Sequence, residues 1–200
     1  MLNLRKITAG LALAVAGVTN VAIAQTPAPA GASAAPTPMY YAFPLEIVVN
    51  KPAAEVWARV GKYCDIQEWL GLTCTLTSGK EGEAGAVRSL NNGAIQEIIV
   101  GRSAMSYTYA QPTRPGRPYD MYHGTLEAQA LTPTTTKLMY TVVIDEGVQA
   151  DDAAREADKA RRATQFKTAL DNMKILAEGG TLPPRRGRGG RGGGQGRGPQ

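Results

Sequence analysis

The chain reads as an α+β protein: a curved antiparallel sheet of about six to seven strands wrapped around a long C-terminal helix, with two short helices after the first strand. Three observations predict this. The spacing of apolar residues is two from Leu72 to Glu146 and returns to helical spacing from Asp151 to Glu178. Asn91-Asn92-Gly93 stands between two β-type runs, where Asn-Gly supplies the positive φ that a tight hairpin needs. A meander with one apolar face must be covered, and the terminal amphipathic helix can cover it.

Each element has its own signal. Tyr40 to Val49 holds β-branched and aromatic residues and reads as a strand. Asn50 is expected to cap the next helix, with Pro52 in its first turn, Ala53, Val56, Trp57 and Val60 at helical spacing, and Gly61 weakening it. Cys64 to Leu70 reads as a second short helix. Strands follow over Leu72 to Thr77, Ala86 to Leu90, Ala94 to Val100 and Met105 to Ala110. Gln111 to Pro118 is a proline-rich loop. Tyr119 to Leu131 and Thr135 to Glu146 are longer strands joined through Pro133. In the last helix, Ala153, Ala157, Ala160, Phe166, Leu170, Met173 and Leu176 are expected to share the face toward the sheet. Asp151 and Asp152 open that helix and Gly179-Gly180 closes it.

The flanking segments differ in kind. Residues 1–24 read as a secretory signal: a basic start through Arg5 and Lys6, an apolar run, and Ala22-Ile23-Ala24 as the cleavage site. Residues 25–38 are an Ala/Pro-rich linker, 39–180 the folded domain, and 181–200 a disordered Gly/Arg-rich tail. The expected location is therefore the bacterial periplasm or the exterior, with no membrane span left after cleavage. The net charge of +5 is carried by the ends, because Met39 to Gly180 holds 15 Lys/Arg against 17 Asp/Glu. The domain is thus no basic nucleic-acid binder. The tail resembles RNA-binding Arg-Gly segments, but export argues against nucleic acid. It leaves anionic lipid, an envelope polymer, or a solvated extension without a role. Export also favours a Cys64–Cys74 disulfide over two buried thiols.

Several residue sets resemble the SRPBCC superfamily (START/Bet v 1-like, helix-grip fold), in its polyketide cyclase/dehydrase-type branch. They are Asn50-Lys51-Pro52-Ala53-Ala54-Glu55-Val56-Trp57, Gln67-Glu68-Trp69-Leu70, Gly85-Ala86-Val87-Arg88 with Glu97, Tyr107-Thr108-Tyr109, and Tyr122-His123-Gly124-Thr125-Leu126. The resemblance spans Tyr40 to about Glu178. It implies a cavity between sheet and long helix that accepts an apolar small molecule: a lipid, an aromatic or a polyketide-like compound. The expectation that Ala153, Ala157 and Ala160 face the sheet leaves room for it.

The hairpin points to specific residues. With Asn92-Gly93 as the loop, Leu90 pairs with Ile95 and Arg88 with Glu97, and cross-strand partners share a face. If that face lines the cavity, Arg88 and Glu97 form a polar handle in an apolar pocket. If it faces solvent, the pair is worth under ~1 kcal/mol. Alternation turns Met105, Tyr107 and Tyr109, then Tyr122, Gly124 and Leu126, then Leu138, Tyr140 and Val142 inward, and the tyrosines serve either as core or as hydroxyl partners of a ligand. The expected ligand-binding set is Trp57, Trp69, Arg88, Glu97, Tyr107, Tyr109, Tyr122, Tyr140 and Phe166. His123 falls on the outward alternation. No cofactor or metal is expected: there is one histidine, the cysteine spacing does not suit zinc, and no phosphate-binding or nucleophile motif is present. With no nucleophile–base pair visible, a non-catalytic carrier is favoured. The alternatives are a cyclase/dehydratase-type enzyme using Glu97 and a pocket tyrosine, and an envelope-interaction protein acting through the tail.

Overall fold

The computed structural model describes residues 36–117 and 119–184. The signal reading, most of the linker and most of the Gly/Arg segment lie outside those residues. Strand β1 runs over Tyr40–Val49, followed by helices α1 (Ala53–Val60) and α2 (Ile66–Trp69). Six strands follow: β2 (Cys74–Ser78), β3 (Val87–Leu90), β4 (Ile95–Ser103), β5 (Ser106–Ala110), β6 (Tyr122–Thr132) and β7 (Thr135–Asp145). Helix α3 (Asp152–Ala177) ends the fold.

The seven strands form one antiparallel sheet in the order β1-β7-β6-β5-β4-β3-β2. Register shifts at Ile99/Gly101 in β4 and at Leu76/Ser78 in β2 interrupt the ladders, and such irregularities increase local twist and help the sheet curl. The inward alternation holds along its length: Tyr107 and Tyr109, Tyr122 and Leu126, and Leu138, Tyr140, Val142 and Ile144 are all buried. They pack against the second half of α3, where Phe166, Ala169, Leu170, Met173 and Leu176 form one buried stripe. That interface is the core, and its apolar burial is the main source of stability.

Both ends of α3 follow from sequence. The Asp151 carboxylate accepts the Ala154 N–H at 2.8 Å. At the other end Gly179 takes φ +88°, and the N–H groups of Gly179 and Gly180 donate to Leu176 and Ile175 carbonyls, a Schellman closure.

Several expectations need correction. Asn50 does not cap α1: Pro52 occupies the N-cap position without a side-chain hydrogen bond, and the Asn50 N–H donates to Glu178 Oε1 at 2.8 Å instead. Gly61 stands at the C-cap of α1, outside the helix body, and the Trp57 ring lies where a Cβ at Gly61 would stand. The second helix is shorter than Cys64 to Leu70, and β6 begins at Tyr122, not Tyr119. The largest correction concerns α3. Ala153, Ala157 and Ala160 are exposed. Counting back from Phe166 at 3.6 residues per turn leads to Arg162, Asp158 and Arg155, and these charged side chains take the inner side of the first half. Apolar character there pointed to the wrong face.

Candidate functional site

A cavity of about 370 Å³ opens between the concave sheet and the middle of α3. One wall comes from Ile66 of α2 and from Leu70 and Leu72 after it. These three residues lie within the ring closed by the Cys64–Cys74 disulfide, so that bond ties the wall to the sheet edge. Leu90 and Ile95 of the β3–β4 hairpin add a second apolar surface. Phe166, Tyr140, Tyr109 and Tyr122 form the deep end, all buried. Asn91 and Arg161 are its exposed members and mark the mouth, beside Arg117.

The polar wall is built on the hairpin. Asn91, Asn92 and Gly93 all have positive φ, and Leu90 pairs with Ile95 and Arg88 with Glu97. Both ion-pair partners are sealed from solvent. Arg88 Nε donates to Glu97 Oε2 at 2.7 Å, and Arg88 Nη1 donates to the Tyr63 carbonyl. The guanidinium also lies 4.0 Å from the Tyr63 ring centre and 5.1 Å from that of Tyr109. Burial works against its charge, but Glu97 and the surrounding tyrosines outweigh that and hold its pKa above the ordinary arginine value.

Glu97 is engaged at both oxygens, because Gln111 Nε2 donates to Oε1 at 2.8 Å. Tyr119 in turn donates its hydroxyl to Gln111 Oε1. Tyr109 and Tyr140 share a 2.7 Å hydroxyl–hydroxyl hydrogen bond at the deep end. Burial pushes the pKa values of Tyr109, Tyr122 and Tyr140 well above the usual phenol value, so these groups are neutral hydroxyls at neutral pH. The wall can orient a polar ligand atom by hydrogen bonding, but it offers no ready base.

The expected site residues are distributed over more than one place. Glu97, Tyr109, Tyr122, Tyr140 and Phe166 line the cavity. Trp57 and Tyr107 line a separate depression of about 230 Å³ on the far side of the Arg88 cluster. Trp69 and Arg88 line neither: Trp69 is buried edge-on against Tyr140, and Arg88 stands behind Glu97. Gln111, Arg117, Tyr119, Arg161, Arg162 and Gln165 are lining residues that sequence reasoning missed. The first three belong to a loop without periodicity. Of the last three, Arg162 follows from counting back from Phe166 along α3, and Arg161 and Gln165 flank that face. His123 is half-buried on the outer alternation. Among the described residues no cluster of His, Cys, Asp and Glu could hold a metal, and no helix is long and apolar enough to cross a membrane.

Solved structures share this fold at low sequence identity. One from Thermobifida fusca has a TM-score of 0.58 at 21% identity, covering 72% of this chain and 99% of its own. The Zhui aromatase/cyclase from Streptomyces sp. R1128 has a TM-score of 0.57 at 16% identity, covering 72% and 100%. The protein XoxI from Bacillus cereus has a TM-score of 0.54 at 18% identity, covering 66% and 92%. No curated protein matches the sequence. The family described as polyketide cyclase/dehydrase and lipid transport matches residues 42–178. With that span and this helix-grip architecture, the chain belongs to the SRPBCC-type polyketide cyclase/dehydrase and lipid transport family, which supports a hydrophobic-ligand-binding or cyclase function.

Proposed function

We propose that this protein binds and carries a small hydrophobic molecule in the cavity between sheet and α3, and does so after export to the periplasm or beyond. The observation that carries the reading is the state of Glu97. Among the described residues it is the one carboxylate lining the cavity, and both of its oxygens are already held, by Arg88 and by Gln111. Those bonds fix the carboxylate as part of the wall, whereas a general base must be placed against the substrate proton. A binding pocket needs apolar surface beside fixed polar groups, and here Ile66, Leu70, Leu90 and Phe166 stand beside Glu97, Gln111 and the tyrosine hydroxyls. The signal-type start and the Cys64–Cys74 disulfide support an oxidising compartment.

Native mass spectrometry of the mature protein purified from its own periplasm tests the reading. A reproducible added mass, lost when Phe166 or Tyr140 is replaced by alanine, is the expected result. A bare mass that stays bare across lipid and aromatic panels overturns it.

The family description also favours a cyclase/dehydratase, for which Glu97 and a pocket tyrosine would be acid and base. Glu97→Gln, compared with the parent under conditions where circular dichroism shows the variant folded, separates the two: turnover of an aromatic polyketide substrate would vanish in an enzyme, whereas a carrier keeps binding with altered affinity. The arginine-rich segment from Arg185 onward is proposed to add loose attraction to anionic lipid or envelope polymer, and deleting 185–200 removes that attraction at low salt.

A further inference from the structure

The charges around the cavity mouth do not balance. Among the described residues three guanidinium groups line the cavity, from Arg117, Arg161 and Arg162, against the single carboxylate of Glu97. Glu97 is neutralised from behind by Arg88. Arg161 and Arg162 both reach the same carboxylate, Asp158. Burial works against the Asp158 charge, yet hydrogen bonds from Arg162 and Arg161 hold its pKa below the ordinary value, so it stays ionised and offsets only one of the two cations. Arg117 donates through Nη2 to a neutral acceptor, the Ala94 carbonyl. That contact, together with Arg114 Nη2 to Gln96 Oε1 at 2.5 Å, holds residues 111–117 across the end of the hairpin and keeps Arg117 at the mouth.

Arg162 adds direction. Its guanidinium lies 5.2 Å from the Tyr119 ring centre and 5.3 Å from that of Tyr122, which line the same cavity. The positive groups are therefore fixed at one end, while Phe166, Tyr140 and Leu90 supply apolar surface deeper in. The volume is at the small end of ligand pockets, which run from about 300 to 1,000 Å³.

We infer that the ligand is a small aromatic or short-chain acid, with its apolar body against Phe166 and Tyr140 and its oxyanion, a carboxylate or phosphate, held at the mouth by Arg117 and Arg161 beside Arg162. This rests on the reading of the cavity as a binding site and narrows its ligand class. Guanidinium groups match oxyanions in shape as well as charge and form paired hydrogen bonds to them.

The test compares naphthoate, naphthyl phosphate, uncharged naphthamide and cationic naphthylmethylamine by isothermal titration calorimetry on the full mature chain. The expected result is that at least one oxyanion binds about tenfold or more tightly than naphthamide, and that the amine binds weakest. The preference of carboxylate over phosphate, or the reverse, identifies the head group. In Arg117→Gln/Arg161→Gln the advantage over naphthamide falls to within about twofold, and on the unaltered protein it shrinks with added salt. Arg161 is mostly exposed and Arg117 lies on a loop, so the double variant is expected to keep the parent's thermal midpoint. Should it not, the salt series decides. Equal, salt-insensitive binding of naphthoate, naphthyl phosphate and naphthamide overturns the anion assignment and leaves the carrier reading standing. Selectivity that survives in the folded double variant overturns the role of these arginines. Failure of all four probes to bind at millimolar concentration overturns both readings.

Discussion

Arg88 and Glu97 stand directly opposite each other on β3 and β4, both sealed from solvent, with the arginine Nε 2.7 Å from the glutamate Oε2. Glu97 faces the cavity while Arg88 stands behind it, so one ion pair joins the ligand wall to the Tyr63–Tyr107–Tyr109 aromatic cluster.

Removing one partner strands the other's charge. Arg88→Met is expected to destabilise the protein by ~3–5 kcal/mol. The double variant Arg88→Met/Glu97→Leu recovers most of that loss, since no buried charge remains. Urea unfolding of the two single variants and the double decides it. A double variant at least as unstable as the sum of the singles would show that the pair is not coupled.

Gly124 of β6 lies under the Tyr109 ring, and a Cβ there would collide with the ring and its hydroxyl. Gly124→Ala should cost about 1–3 kcal/mol through overpacking and should loosen ligand retention, because Tyr109 is displaced from the cavity wall. Gly101→Ala is the control. Its Cβ would meet only the Thr108 Cβ at 3.9 Å. That change is expected to be neutral or stabilising by up to ~1 kcal/mol. Equal thermal shifts for both would refute the steric account.

The Cys64–Cys74 bond closes a ring of about ten residues that contains Ile66, Leu70 and Leu72 of the cavity wall. Cys64→Ser/Cys74→Ser is expected to lose ~2–3 kcal/mol of stability. Reductant should lower the ligand affinity of the parent and leave the variant unaffected. Insensitivity of the parent to complete reduction would place the wall's order elsewhere.

Alkaline pH should unfold the protein cooperatively. Burial raises the pKa values of Tyr63, Tyr107, Tyr109, Tyr119, Tyr122 and Tyr140 from 10.0, with Tyr107 pushed up to about 12. Between the unfolded and folded values the unfolded chain has lost protons that the native state still holds. Stability is therefore full below about pH 10 and falls as the pH rises through that window. Tyrosinate absorption, followed alongside circular dichroism, should show these groups ionising only as the fold is lost. Their smooth titration with the fold intact would contradict the burial described.

Local physics made the sheet legible in the sequence. A side-chain period of two assigned the inner faces of β5, β6 and β7, and the Asn-Gly turn determined that Arg88 meets Glu97. Asp151 and Gly179 bounded α3 because capping involves neighbouring backbone groups only. What the tertiary structure alone decided is longer in range. The first half of α3 turns Arg162 and Asp158 inward because their charges can pair there and stack on Tyr119 and Tyr122, and no apolar count anticipates a favourable buried polar face. Gln111 and Tyr119 reach Glu97 and Gln111 from a loop, where no periodicity says which way a side chain points. The separation of Trp57 and Tyr107 from the main cavity likewise depends on the Arg88 cluster between them, assembled from Tyr63 after α1 and residues of β3, β4 and β5. Pairing and periodicity are set by neighbours along the chain and across one turn, whereas the shape and charge of the cavity depend on segments that meet only once the sheet has closed on its helix.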